Sequence, residues 1–263
     1  MRTNRLRDLW SKGGGAVNGW LGIPSSATAE FMAHAGWDSL TIDMQHGLID
    51  YQTMVGMLQA VQSTGTCATV RVPWNEQGII GKVLDSGAQG IICPMVNTPE
   101  EAEALVRSAR YPPMGERSFG PLRAAMINGP DYPAQANQDV IVWPMIETRL
   151  AVANVDAILS VDGIDGCYIG PADLGLTHGF VPKGDRDEPE LLEIIARIRE
   201  SAKSHGKTVG IHCQAPAYGR RMIEDGFDLV TIAADMAILM NAAKAAVSET
   251  RDGIESKTSA GLY

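Results

Sequence analysis

Six ionisable side chains stand at or just past the ends of apolar, β-branched runs. They are Asp43 and His46 in IDMQHG, Arg71 in VRVPW, Glu147 in PMIETR, Asp173 in IGPADLG and His212 in GIHC. Taken singly, each has an ordinary explanation. An aspartate after a strand is most often a helix cap, and a lone histidine is most often a satisfied structural residue. Groups of this kind at successive strand ends exceed what capping requires. Glu147 and Asp173 end neighbouring strands, where two carboxylates would repel and one would keep its proton unless a cation lay between them. An all-oxygen pair suits a hard divalent ion such as Mg²⁺ or Mn²⁺. The alternatives are an acid/base pair of the glycosidase type, or a cap joined to an ion pair with Arg149. Sugar rings usually call for aromatic platforms, and aromatics make up only 6% of the chain.

The neighbouring residues extend that chemistry. A guanidinium at the rim, Arg71, suits a substrate carboxylate or oxyanion. Gly170, Ala172 and Asp173 offer backbone N–H groups in a tight turn able to cradle a carboxylate, and Pro171 offers none. His46 lies three residues after Asp43, a spacing at which the carboxylate could fix the imidazole tautomer and raise its basicity. A Schiff-base enzyme needs a lysine in the same place, but no lysine ends a strand, and Lys207 begins one. Carbonyl chemistry here would therefore use a metal as electron sink.

The elements that must hold these groups alternate strictly. Strands are expected at 16–23, 38–44, 67–72, 90–95, 140–147, 165–170, 207–213 and 228–234. Each is followed by a helical stretch, the last at about 235–249. Thr98, Pro99 and Glu101 open one of these helices with a capping box. Alternation of this kind implies parallel strands with crossover helices. Nearly continuous apolar strands imply a sheet covered on both faces. Eight such units in about 250 residues is the size of a (β/α)8 barrel, here one domain spanning 1–263. A doubly wound open sheet is the alternative, but it would carry a glycine-rich fingerprint where this chain reads IPSSA. The stretch 113–139 shows no period and is expected to be a long functional or disordered loop, with Arg117 and Arg123 reading a distal substrate group or simply solvated. The tail 251–263 is expected to fray or to serve assembly.

Composition narrows the partners. The chain has 263 residues, 45% hydrophobic and 20% charged, with a formal net charge of -9. The net charge argues against nucleic acid or an anionic membrane surface, and no apolar run reaches the ~20 residues that span a bilayer. The basic stretch MRTNRLRDLWSKGGG lacks the apolar segment of a secretory signal. Cys67, Cys93, Cys167 and Cys213 form no C-x-x-C pair, so they are expected to be buried free thiols in a reducing cytoplasm.

Over about 16–245 the chain resembles the class II, metal-dependent pyruvate aldolases of the HpcH/HpaI family. The stretches that carry the resemblance are LTIDMQHG, VRVPWNE, VLDSGAQGIICPMV, ARYPPMGERSFG, IETRLAVANVDAIL and DGIDGCYIGPADLG. The resemblance implies a (β/α)8 barrel holding Mg²⁺, Mn²⁺ or Co²⁺ on Glu147 and Asp173. The implied reaction is reversible cleavage of a 4-hydroxy-2-oxo acid to pyruvate and an aldehyde through a metal-stabilised pyruvate enolate. Oxaloacetate decarboxylation would be a side activity. It implies that Arg71 polarises the keto oxygen, that the amides near Gly170 and Ala172 hold the carboxylate, and that His46, paired with Asp43, acts as acid/base by way of a water on the metal. It implies a homo-hexamer, a trimer of dimers whose last helix swaps between barrels, with Asp85 in VLDSG reaching a neighbour's histidine. It also implies a role in aromatic or sugar-acid catabolism. Two positions depart from the pattern: Gln45 where many members carry glutamate, and the substrate-side Met145 where many carry glutamine. Two competing readings stand beside it. A CoA-ester lyase of the citramalyl or malyl type would want a basic groove that the sequence does not offer. A catalytically silent binding barrel would not need this constellation.

Overall fold

The β-branched runs pair, strand by strand, into a closed parallel barrel in which β1 meets β8. The computed structural model describes residues 4–252, so the tail is almost wholly outside the described residues. In chain order the elements are α1 (Arg5–Ser11), β1 (Ala16–Leu21), α2 (Ser26–Ala33), β2 (Ser39–Asp43), α3 (Tyr51–Ser63), β3 (Cys67–Arg71), α4 (Gln77–Asp85), β4 (Gly90–Cys93) and α5 (Pro99–Ala109). They continue as α6 (Leu122–Asn128), α7 (Tyr132–Asp139), β5 (Ile141–Ile146), α8 (Arg149–Ala153), α9 (Val155–Leu159), β6 (Gly166–Ile169) and α10 (Pro171–Thr177). The last are α11 (Pro189–Ser204), β7 (Thr208–Cys213), α12 (Pro216–Glu224), β8 (Leu229–Ala234) and α13 (Asp235–Arg251).

The eight expected strands are all present, and the Thr98–Glu101 capping box forms as its sequence spacing predicts. Three segments differ. The stretch 113–139 holds α6 and α7 rather than a structureless loop. The turn after β6 is the first turn of a helix, α10, whose Gly170 cap and Pro171 at the first helical position make it look like a loop in the sequence. The basic N-terminal stretch forms α1, which closes the bottom of the barrel. Its Leu6 is buried, and its Trp10 stacks on Trp143 at 5.4 Å and donates to the Asp228 carbonyl at 2.8 Å. Arg7 ties the same helix to the Asp139 and Val140 carbonyls and to Asp165.

Two cores result. The larger lies between strands and helices, where outward strand residues such as Leu40, Val70, Ile91 and Val209 meet the apolar faces of the helices. The smaller fills the barrel interior with Trp20, Ile92, Ile141, Trp143, Met145, Tyr168 and Leu229. An aromatic column of Trp10, Trp143, Tyr168 and Trp20 runs up through this interior, with ring centroids 5.4–6.3 Å apart. Beside it, Asn18 donates to Thr41 and Thr231 and accepts from Ser39, so this buried polar layer is hydrogen-bonded. The packed interior leaves only the C-terminal end of the barrel open, which is where the ionisable groups lie.

α13 stands apart. After Asp235, every residue from Met236 to Arg251 is exposed, including Leu239, Met240 and Val247. A two-faced helix with so much apolar surface in water is an unpartnered packing surface.

Candidate active site

A cavity of about 390 Å³ opens at the C-terminal ends of the strands, lined on its polar side by Asp43, His46, Arg71, Asp173 and His212. Gly170, Ala172, Met145, Trp20 and Tyr168 complete much of its wall. Of the residues singled out in the sequence, these come together as expected. Another concavity, about 260 Å³ and lined by Gln59, Gln62 and Gln89, contains Arg123 but none of the strand-end residues.

Asp43 ends β2 and is paired in register with Arg71 at the end of β3. Its Oδ1 accepts from Arg71 Nε at 2.8 Å, and its Oδ2 accepts from the Arg71 terminal nitrogen at 2.6 Å and from Trp20 Nε1 at 3.1 Å. The backbone N–H groups of Gln45 and His46 also donate to Oδ1. Burial alone would raise this carboxyl, but the Arg71 hydrogen bonds and charge, with Trp20 and the His46 N–H, hold it below the usual carboxylate range. The expected Asp43–His46 dyad does not form through the imidazole. Asp43 orients Arg71 and shapes the turn that carries His46, whose exposed ring stands at the rim. Arg71 also lies over the Trp20 ring at 4.8 Å, and the remainder of its N–H groups are left for a ligand.

Glu147 follows β5 and is 2% exposed. Its Oε1 accepts from the Met95 N–H at 2.9 Å. Met95 itself sits in the left-handed region, φ 56°, a conformation that a non-glycine residue keeps only where the surroundings demand it. Burial pushes the Glu147 carboxyl up to about 7; the Met95 N–H and Arg71 pull it down, and the negative charge of Asp173 pushes it up. Asp173 lies in the first turn of α10. Gly170 is required between them, because a β-carbon there would fall against Glu147 Oε2 and the Met145 methyl.

This donor set fits a hard divalent ion. It is a buried carboxyl raised by burial and by the charge of a second carboxylate, Asp173, which lines an open cavity that leaves coordination positions for water or substrate. No cluster of three or more acidic, histidine or cysteine side chains with metal-binding geometry occurs among the described residues.

Sequence reasoning missed the support beneath the site. Arg186 is fully buried and donates to the Pro171 carbonyl through Nε at 3.0 Å and through a terminal nitrogen at 2.8 Å, and to Val181. It fixes the first turn of α10, and nothing in GDRDEP signals that role. Trp20 and Tyr168 look like ordinary core aromatics in the sequence; the inward side of β1 and β6 brings them to the cavity floor. Lys183 also lines the mouth, but it is ion-paired with Asp187 and Glu188, and the Asp187 hydrogen bond raises its ammonium pKa. It is a charged lysine, not a free amine.

Other expected residues lie elsewhere. Asp85 ends α4 outside the cavity and accepts from Arg117 at 2.6 Å. Arg117 is a brace rather than a substrate reader: it is buried, with its guanidinium 4.4 Å from the Tyr111 ring. Arg123 likewise binds Gln62 and the Ser86 carbonyl. Gln45 buries its side-chain oxygen without a partner among the described residues, while Met145 reaches the cavity as its position predicts.

A family model described as HpcH/HpaI aldolase/citrate lyase matches residues 19–242. A hydroxypyruvate/pyruvate aldolase from Rhizorhabdus wittichii is 45% identical over 94% of this chain and 99% of its own length. A 4-hydroxy-2-oxo-heptane-1,7-dioate aldolase from Salmonella newport is 38% identical over 99% of both. Among solved structures, a HpcH/HpaI aldolase/citrate lyase family protein from Burkholderia cenocepacia superimposes with a TM-score of 0.85 at 34% identity, covering 94% of this chain and 97% of that one.

Proposed function

The chain belongs to the HpcH/HpaI aldolase/citrate lyase family, and from that premise we propose that its barrel-mouth cavity cleaves a 4-hydroxy-2-oxo acid reversibly to pyruvate and an aldehyde. The protein is a carbon–carbon lyase, a class II aldolase. The observation that supports the site assignment is a cavity lined by Asp173 and by the Asp43–Arg71 ion pair, next to a buried Glu147 whose carboxyl feels the charges of both Asp173 and Arg71, with the lining Lys183 already ion-paired.

Glu147 and Asp173 would hold Mg²⁺, Mn²⁺ or Co²⁺, which when bound supplies Lewis-acid stabilisation of negative charge on the keto oxygen. The chain's own groups do the rest. The backbone N–H groups at the start of α10 receive the substrate carboxylate, in a turn that Arg186 keeps rigid. Arg71, held in one orientation by Asp43, directs its free N–H groups at the keto oxygen as charge develops there. His46, at the rim, takes the proton from the C4 hydroxyl as the C3–C4 bond breaks, and returns one in the reverse reaction. The enolate of pyruvate then gains at C3 the proton that His46 took from the hydroxyl, which restores the histidine for the next turnover. Oxaloacetate loses carbon dioxide through the same enolate, so decarboxylation accompanies the aldol reaction.

The same reading places α13 against a neighbouring copy in a homo-hexamer, which would cover its exposed Leu239 and Met240. In that assembly Asp85 would reach a neighbour's site. Four buried free thiols suit a cytoplasmic location, and no described helix is long and apolar enough to cross a membrane. Glu147→Ala should abolish turnover even at saturating metal. Activity retained in that variant, with normal folding, would overturn the metal assignment.

A further inference from the structure

The opposite end of the barrel carries a second cavity, of about 260 Å³, that the reaction described above does not use. Its walls come from the end of α3, the turns before β3 and β4, α6, and Arg5 of α1. It therefore lies at the N-terminal ends of the strands, away from the mouth that holds Asp43, Arg71 and Asp173. Its lining includes two arginines, Arg5 and Arg123, and no carboxylate among the described residues. In a chain of net charge -9, this is a local reversal of sign.

Arg123 is built into the wall. Its Nη1 donates to Gln62 Oε1 at 2.8 Å and to the Ser86 carbonyl. Gly87 allows α6 to come this close, because a β-carbon there would fall 2.6 Å from the Ile127 side chain and 3.1 Å from Arg123 Nη1. Both partners of Nη1 are neutral oxygens, and Nε and Nη2 have none among the described residues. Burial pushes the guanidinium below its ordinary value, and no carboxylate opposes it. A partly desolvated cation without a counter-charge is costly until an anion supplies one. Gln89 adds a neutral donor. Its Oε1 accepts from the Ala68 N–H at 3.1 Å, and its NH2 group has no acceptor among the described residues. Arg5 is loosely held: its salt bridge to Asp38 is 3.7 Å long, and its side chain is 53% exposed. The cavity thus gathers two under-used guanidinium groups and an amide NH2, the donors that a doubly charged oxyanion requires. Its volume, below that of pockets for drug-sized ligands, suits a compact ion rather than a nucleotide.

We propose that this cavity binds a small dianion, a phosphate or a short dicarboxylate, on Arg123, Arg5 and Gln89. The site is separate from the barrel mouth and does not depend on aldol chemistry. The test is calorimetric titration of the Mg²⁺-loaded protein with inorganic phosphate, succinate and acetate, at one ionic strength set by chloride, because exposed charges are screened by salt. Phosphate or succinate should bind, the tighter of the two identifying the class, and singly charged acetate should bind more weakly than either. Arg123→Gln should weaken the binding about tenfold or more, the loss of a charge-assisted hydrogen bond. Arg5→Gln, at an exposed position, should weaken it about two- to fivefold, and it decides the matter if Arg123→Gln does not fold. Arg71→Gln removes the arginine of the barrel mouth, and dianion binding should survive in it. Arg197→Gln makes the same charge change on the exposed face of α11 and should alter nothing. Binding that disappears in Arg71→Gln belongs to the barrel mouth and overturns the inference. Unchanged affinity in both Arg123→Gln and Arg5→Gln overturns it too, as does an equal loss in Arg197→Gln, which reports only the general field of the protein. A wild type that binds neither dianion at millimolar concentration also overturns it, and leaves the aldolase reading in place.

Discussion

Glu147→Gln in the chelated, metal-free protein should stabilise the fold at pH 8 and do little at pH 5. Glu147 is buried and feels the negative charge of Asp173, and its carboxyl is pushed up to about 7 in the folded chain against an ordinary value of 4.5. Between those values the folded state keeps a proton that the unfolded chain has released. The unfolded state then binds fewer protons, so stability falls as pH rises through this window and stays lost above it. A difference of this size corresponds to at most about 3 kcal/mol. Glutamine keeps an oxygen for the Met95 N–H and carries no charge, so it should recover most of that loss. For a domain of this size the gain reads as a rise of about 6–12 °C in Tm at pH 8. The assay is thermal unfolding with EDTA at pH 5, 6, 7 and 8, for both proteins. With saturating Mg²⁺ the ranking should reverse, because the wild type alone gains binding energy from the ion. A variant less stable than the wild type in EDTA at pH 8, or a difference independent of pH, would refute the idea that Glu147 is a strained, cation-seeking carboxylate.

Further expectations follow from neighbouring groups. Asp43→Asn leaves the largely buried Arg71 guanidinium without its counter-charge and should cost about 3–5 kcal/mol in urea unfolding; turnover should fall with it, since Arg71 loses its orientation. Because the Asp43 carboxyl is held below its ordinary 3.8, its contribution is present above that pH and should vanish as pH drops through the folded value, an acid limb that Asp43→Asn would lack. The thiols should be silent in the native protein. Burial pushes Cys67 and Cys167 up to about 12, and drives Cys93 and Cys213 upward too. A thiol reagent at pH 8 should therefore titrate all 4 cysteines only after unfolding, and rapid native labelling would contradict the burial.

The barrel was legible because its signals are local. Apolar β-branched runs separated by helical stretches specify parallel strands with crossovers, and strand ends specify where side chains converge. Asp43, His46, Arg71, Met145, Gly170, Ala172 and Asp173 accordingly reach one cavity. What failed needed information between strands. The spacing from Asp43 to His46 suggested a dyad, but the β2–β3 register sets Asp43 against Arg71, and a bidentate guanidinium outcompetes a single imidazole. The helix α10 was hidden because Gly170, Pro171 and Gly175 read as a turn, although proline is well suited to a first helical position. Arg117 and Arg123 could be read as substrate readers or as solvated side chains because an arginine in an irregular stretch gives no sign of its partner; here Asp85 and the Ser86 carbonyl supply it. The Asn18–Thr231–Tyr168–His212 chain joins β1, β8, β6 and β7 and could not be seen along the sequence.

The most direct test of the central claim needs no knowledge of the aldehyde. Pyruvate is incubated with the protein in D₂O, and the methyl proton signal is followed by NMR with Mg²⁺ or Mn²⁺ and then with chelator. The account expects metal-dependent loss of the signal in the wild type, abolished by chelator and by Glu147→Ala. Pyruvate that keeps its methyl protons with every metal tried would contradict enolate chemistry at this site.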